Sequence, residues 1–116
     1  MIKKPLTLNE KEGIVYLTSG DYFDGPMGEE FQARIDEFLD KGKNCFIVDM
    51  GPAAVITSPG ISAIMGAAIK ITEDRQGKIV FVNLRPLHFD VFKMAGILSC
   101  SELAKDMQEA TKLAKK

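Results

Sequence analysis

The amino-acid sequence predicts a single α/β domain with right-handed crossovers, on three observations. Short apolar runs rich in β-branched residues alternate with segments whose apolar residues recur at helical spacing. Gly and Pro punctuate the junctions between them. The length of 116 residues, with 46% hydrophobic and 27% charged residues, suits a soluble globular chain with one modest core and no room for a second domain.

The elements follow in order. Ile14–Thr18 is β-branched, aromatic and aliphatic, and reads as a strand that stops at Gly20. A turn over 20–25 follows. Pro26 suits a first helical position, and Met27, Phe31, Ile35, Phe38 and Leu39 then mark one buried face until Gly42 caps the end. The opposite face carries Glu30 with Arg34 and Glu37 with Lys41, acid-before-base pairs four residues apart. Residues 45–50 are apolar with little alternation, as a central strand covered on both faces requires. After the loop 51–57, Ser58 is predicted as an N-cap and Pro59 as the first helical residue. Ile61, Ile64, Met65, Ala68 and Ile71 or Thr72 form the buried stripe, and Gly77 ends the segment. Residues 78–83 make the next strand, and Pro86 opens a short helix through Phe89, Phe92, Lys93 and Met94 to Gly96. Ile97 and Leu98 are expected to start an edge strand. From a cap at Ser101, residues 102–116 read as a terminal helix with Leu103, Met107, Ala110 and Leu113 or Ala114 on one side and a basic end that suits its dipole.

Charge and composition exclude several functions. A formal charge of −1 with acids and bases interspersed offers no basic face for nucleic acid and no polybasic anchor for lipid, so the expected partner is a protein. The start at Met1, Ile2, Lys3 and Lys4 is positive, but Pro5, Thr7, Asn9, Glu10 and Lys11 stand where an export signal needs its apolar stretch, so a cytoplasmic location is expected. The weakly polar region 61–71 falls short of the roughly 20 residues that span a bilayer and reads as a buried helix. Cys45 and Cys100 form neither a disulfide framework nor a metal site, and the single histidine, His88, lacks ligand spacing. Asp21, Asp24 and Asp49 fall near strand ends on one sheet edge. They read as solvated turn acids, with an acid–base pair or a divalent-ion site as the alternative. No phosphate loop or nucleophile elbow is present, and no catalytic residue, cofactor or metal is expected.

Ser58 is the residue that chemistry singles out. A hydroxyl at a helix start lies where backbone N–H groups and the positive end of the dipole favour a phosphate. A serine cap before proline also serves the helix alone. The stretch from Val48 to Ile61 resembles the signature of STAS domains in anti-sigma-factor antagonists, in which a strand ending in Asp and a loop with an apolar residue precede Asp-Ser-Ser-Gly at a helix start. Here the four positions read Thr57, Ser58, Pro59 and Gly60. Gly20, Asp21, Tyr22, Phe23 and Asp24 are similar to the family's Gly-Glu-Leu-Asp turn with one extra residue. The stretch from Pro86 to Leu98 resembles its Pro-x-x-x-x-x-Phe-x-x-x-Gly-Leu segment. The likeness runs over roughly residues 13–113.

The resemblance implies a STAS fold, with a mixed sheet of four or five strands and helices mainly on one face. It places Ser58 on the family's phosphoacceptor, with Thr57, which replaces the family aspartate, as a second candidate. It further implies partner switching: the unmodified domain binds an anti-sigma factor of serine-kinase ATPase fold, phosphorylation reverses this, and a phosphatase restores it. The implied contact surface comprises Tyr22, Phe23, Asp24, Thr57, Ser58, Gly60, Ser62, Ala63, Gly66 and Ala67, beside Lys70. The small residues among them are equally suited to receive a neighbouring helix of the same domain, and Tyr22 and Phe23 equally suited to the core. Alternatives are a stressosome scaffold or lipid-transport accessory subunit that is not phosphorylated, and a small enzyme built on the strand-end acids. Monomer and dimer both remain open.

Overall fold

The computed structural model describes residues 4–116, so the positively charged start at Met1, Ile2 and Lys3 lies outside the described residues. The elements are β1 (Thr7–Lys11), β2 (Ile14–Thr18), β3 (Tyr22–Phe23), α1 (Gly25–Asp40), β4 (Cys45–Asp49), β5 (Val55–Ile56) and α2 (Ser58–Ile69). They continue with β6 (Lys78–Val82), α3 (Pro86–Ala95), β7 (Glu102–Ala104) and α4 (Met107–Ala114). The main sheet is mixed and five-stranded in the order β1-β2-β4-β6-β7, and β3 and β5 form a separate two-stranded ladder. β1 runs antiparallel to β2, whereas β2, β4, β6 and β7 are mutually parallel, with Val15 opposite Phe46 and Val48 opposite Phe81.

β4 is central, as its unbroken apolar run predicts. β1 is an edge strand that the sequence conceals: all five of its residues are exposed and none of them alternates apolar with polar. It exists because Glu12 (φ 55°) and Gly13 (φ 82°) both take left-handed conformations, the geometry of a tight two-residue hairpin turn.

α1 begins where the Asp24 carboxylate accepts from the Met27 amide (3.1 Å). It ends as predicted at Gly42 (φ 83°), where Gly42 N donates to Leu39 O and Lys43 N to Phe38 O, the Schellman arrangement. On its solvent side Arg34 pairs with Glu37 (2.8 Å), and Lys41 extends over the Phe38 ring.

Residues of alternating strand positions feed two apolar clusters. The larger holds Phe23, Phe31, Phe46, Phe81 and Phe92 among others, between the sheet and α1, α2 and α3. Phe23 meets Phe31, and Phe81 meets Phe92, edge to face at 5.3 and 5.2 Å between centroids. The smaller packs Ile14, Ile47, Val80 and Val82 against Ala110 and Ala114 of α4 on the opposite sheet face. Three helices therefore cover one face and one short helix the other.

Three local readings are corrected. α2 is capped by Thr57 rather than Ser58, and it continues past Ile69 into a wider π-type turn over Lys70–Asp74, closed by Gly77 N to Ile71 O. Ile97 and Leu98 belong to a 3₁₀ turn (Ile97–Cys100), not to a strand. The edge strand comes later, at β7, where Leu103 lies opposite Phe81, and the terminal helix starts only at Met107. Asp106 supplies its cap, accepting from Glu109 N (2.8 Å), while the Glu109 carboxylate accepts from Lys105 N (3.0 Å). Ser101 instead donates its hydroxyl to Ile97 O (2.7 Å) and holds the turn. Among the described residues no helix is long and apolar enough to cross a membrane.

Ile47 lies fully buried on the central strand under α4. Ile47→Ala is expected to cost about 2–5 kcal/mol in urea denaturation. Leu8→Ala, on the exposed edge, is expected to change stability by no more than about 0.5 kcal/mol.

Candidate functional site

The site forms at the C-terminal edge of the parallel strands, where the chain leaves β2 and β4. The two departing loops are bound to one another. Tyr22 lies opposite Val55 and Phe23 opposite Ile56 in the β3–β5 ladder. Ala54 N donates to Asp21 O (2.8 Å) and Thr57 N to Phe23 O (3.0 Å). The second loop is also tied to the sheet. Asp49, at the end of β4, accepts from Gly51 N (2.9 Å) and Asn83 Nδ2 (3.0 Å), and the Arg85 guanidinium donates to Gly51 O (3.0 Å).

α2 starts directly from this clamp. Thr57 is extended (φ −88°, ψ 168°), its carbonyl accepts from Ile61 N (2.9 Å), and its hydroxyl accepts from Gly60 N (3.4 Å). These are the marks of an N-cap, and they arise because the ladder holds Thr57 extended and lets the helix begin at the next residue. Gly60 rests on the Phe23 carbonyl so closely that any Cβ there would overlap it, which is the physical reason for glycine at this position. Ser58 thus stands in the first helical turn with its side chain exposed and its backbone fixed on both sides.

The predicted contact surface is only partly a surface. Tyr22, Ser58, Ser62 and Gly66 are exposed, Ala63 is half-buried, and Thr57 and Asp24 are half-buried as caps of α2 and α1. Phe23 is fully buried against Phe31, and Gly60 and Ala67 are buried as well, so these three residues belong to the core and not to a contact face. The small residues of α2 receive α1. The Ala63 methyl faces Gly28, where a Cβ would overlap it, Gln32 Nε2 donates to Ala63 O (3.1 Å), and Gly66 faces the same Gln32 amide. Lys70 is taken by Asp36 (2.8 Å). The structure adds Val55, 40% exposed and paired with Tyr22, and Pro59, exposed and next to Ser58 in the chain. The available signal for Val55 was a large apolar residue in the short connection between the central strand and the helix start.

The strand-end acids have structural duties. Asp21 accepts from Lys4 N (2.9 Å), Asp24 caps α1, and Asp49 holds Gly51 and Asn83. Among the described residues no group of three or more His, Cys, Asp or Glu could hold a metal ion. Arg85 reaches Gly51, as given above, and the described contacts do not bring it to Ser58.

Comparison with known proteins decides the family. The family profile described as STAS domain matches residues 6–110. The chain belongs to the STAS-domain family. A protein of Bordetella bronchiseptica, BtrV, that carries the name of anti-sigma factor antagonist is 25% identical over 105 residues, covering 90% of each chain. Among solved structures, a Thermotoga maritima protein named for the same role superposes with a TM-score of 0.82 at 17% identity, covering 96% of this chain and 95% of that one. The Bacillus cell fate determinant SpoIIAA, solved in its phosphorylated form, superposes at 0.74 and 17% identity, covering 93% and 98%. These superpositions show the STAS fold, with its mixed sheet and its helices mainly on one face.

Two predictions follow from the geometry of this STAS domain. Gly60→Ala, which in an open helix would gain stability, is expected to lose about 1–3 kcal/mol here, measured by urea denaturation, because the new methyl must displace the Phe23 carbonyl. The second concerns His88, buried on α3 at the end of this loop cluster, whose Nδ1 has no hydrogen-bond partner among the described residues. Burial lowers its pKa below the ordinary 6.5, and the Arg85 charge lowers it further. The unfolded chain therefore binds the proton more readily. The stability this gives is fully present above pH 6.5 and is lost as pH falls through the folded-state value. Denaturation midpoints are expected to fall on acidification from pH 8 to 5, with a shallower slope in His88→Leu.

Proposed function

We propose that this STAS domain is an anti-sigma-factor antagonist that works by phosphorylation-controlled partner switching, with Ser58 as the acceptor. The observation that carries the reading is Ser58 itself, an exposed hydroxyl in the first turn of α2 on a backbone clamped by the β3–β5 ladder. The unmodified domain binds, in the cytoplasm, an anti-sigma factor of serine-kinase ATPase fold through Tyr22, Val55, Ser58, Pro59 and Ser62. That binding frees the sigma factor and so regulates transcription. The name carried by the Bordetella relative and the fold shared with a protein solved in a phosphorylated form support it.

Electrostatics gives the switch its sign. A phosphate adds roughly −1.5 to −2 charges at neutral pH. Within the free domain it meets the positive end of the α2 dipole and is well tolerated. At the centre of a contact surface it must be desolvated against a partner shaped for a neutral hydroxyl, which favours dissociation. Modification therefore releases the partner while leaving the fold intact. Thr57 is the weaker acceptor because its hydroxyl already caps the helix.

The test separates folding from binding. Ser58→Asp is expected to keep the fold or stabilise it by about 0.3–1 kcal/mol of dipole interaction, measured by urea denaturation. It is also expected to bind the co-purified kinase-fold anti-sigma factor at least tenfold more weakly than Ser58→Ala in calorimetry. Equal affinities of the two variants, both folded, would count against the switch.

A further inference from the structure

α4 is attached to the domain far more lightly than α1. α1 buries Met27, Phe31, Ile35, Phe38 and Leu39, whereas α4 buries only Ala110 and Ala114, with Leu113 half-buried beside them. Two methyl groups remove little apolar area from water. A helix of eight residues is also too short to hold its shape without packing. The bonds that start it, from Glu109 N to Asp106 and from Lys105 N to Glu109, lie within its own segment and do not tie it to the sheet.

Lys78 is what fastens it. From the first position of β6, on the strand face shared with Val80 and Val82, its ammonium donates to Leu113 O (3.1 Å) and Lys116 O (2.9 Å). Carbonyls at the end of a helix have no partner within it and carry the negative end of its dipole, so one cation answers both needs. The other tie, Lys115 to Glu12 at 3.5 Å, is exposed on both sides and contributes little.

Beneath α4, Ile47, Val80 and Val82 are fully buried and Ile14 nearly so. This cluster is separate from the larger one packed by α1, α2 and α3, so removal of α4 uncovers the first and leaves the second closed. Uncovering it is unfavourable, and the backbone freedom that the helix regains opposes that cost. Units that open below the global transition are those with few buried apolar contacts of their own.

We propose that α4 is a lid latched by Lys78, which undocks and melts as a unit while the rest of the domain stays folded. Opening presents Ile14, Ile47, Val80 and Val82 as a second apolar face, on the side of the sheet away from α2 and Ser58.

Native-state hydrogen exchange of the full chain, read amide by amide by NMR in graded urea below the unfolding transition, tests this directly. The α4 amides are expected to open at least a hundredfold more often than those of Phe46, Ile47 and Val48, and with a weaker urea dependence. Lys78→Met is expected to raise α4 opening at least threefold. Ile35→Val lies in the cluster that stays closed, so it is expected to speed exchange in β4 by about two- to tenfold and to leave α4 unchanged. A single opening shared by α4 and β4 overturns the proposal, as does an equal response of both to Ile35→Val. Lys78→Met without effect on α4 exchange overturns the latch.

Discussion

The contact between the Phe23 carbonyl and the start of α2 is the constraint on which the site depends. One oxygen receives the Thr57 amide and supports the Gly60 backbone, while the Phe23 ring is locked in the core against Phe31. Through it, the turn after β2 and the loop after β4 move as one body, and the first turn of α2 inherits its orientation from the sheet. Loops at strand ends are ordinarily the mobile part of an α/β domain. Here a two-rung ladder, a capping threonine and a glycine that admits no Cβ make the loop a platform, and Ser58 is the hydroxyl presented on it.

A rigid presentation matters for a modification switch because the energy of a phosphate depends on where it is held. On the first turn of a helix the dipole and the nearby amides favour a phosphate, so under the proposed switch modification would leave the domain folded. The same position on a contact face makes the charge costly to bury in a complex. The two effects have opposite consequences for folding and for binding, and a fixed backbone at the modified residue allows both to operate at once.

Much of this was legible in the sequence, and the parts that were not share physical causes. The apolar strands β4 and β6, the amphipathic α1 and the Gly42 cap follow from periodicity and punctuation. β1 was hidden because an exposed edge strand needs no apolar alternation and its turn uses Glu12 in a left-handed conformation. β7 was absorbed into a helix because Leu103 continues the spacing of Met107 and Ala110, and only pairing with Phe81 makes it extended. At the site, position 58 was found by motif and chemistry, but its capping role went to Thr57, since the ladder that fixes Thr57 is a long-range contact. Burial was the hardest property to read. Phe23 and Ala67 fit a contact face as well as a core in one dimension, and the facing helix, through Phe31 and Gly28, decides for the core in the case of Phe23 and packs the small residues of α2 against α1.

The central claim is that the Ser58 hydroxyl is the group through which this domain is controlled. Intact-mass and peptide mass spectrometry of the protein taken from its native cells, with and without phosphatase treatment, tests it most directly. The account predicts a phosphate-sized addition that is removed by phosphatase and maps to Ser58, with Thr57 unmodified. Complete coverage of the peptide spanning Thr57 and Ser58 without that addition, across growth and stress conditions, would contradict it and leave a STAS domain that binds its partners constitutively.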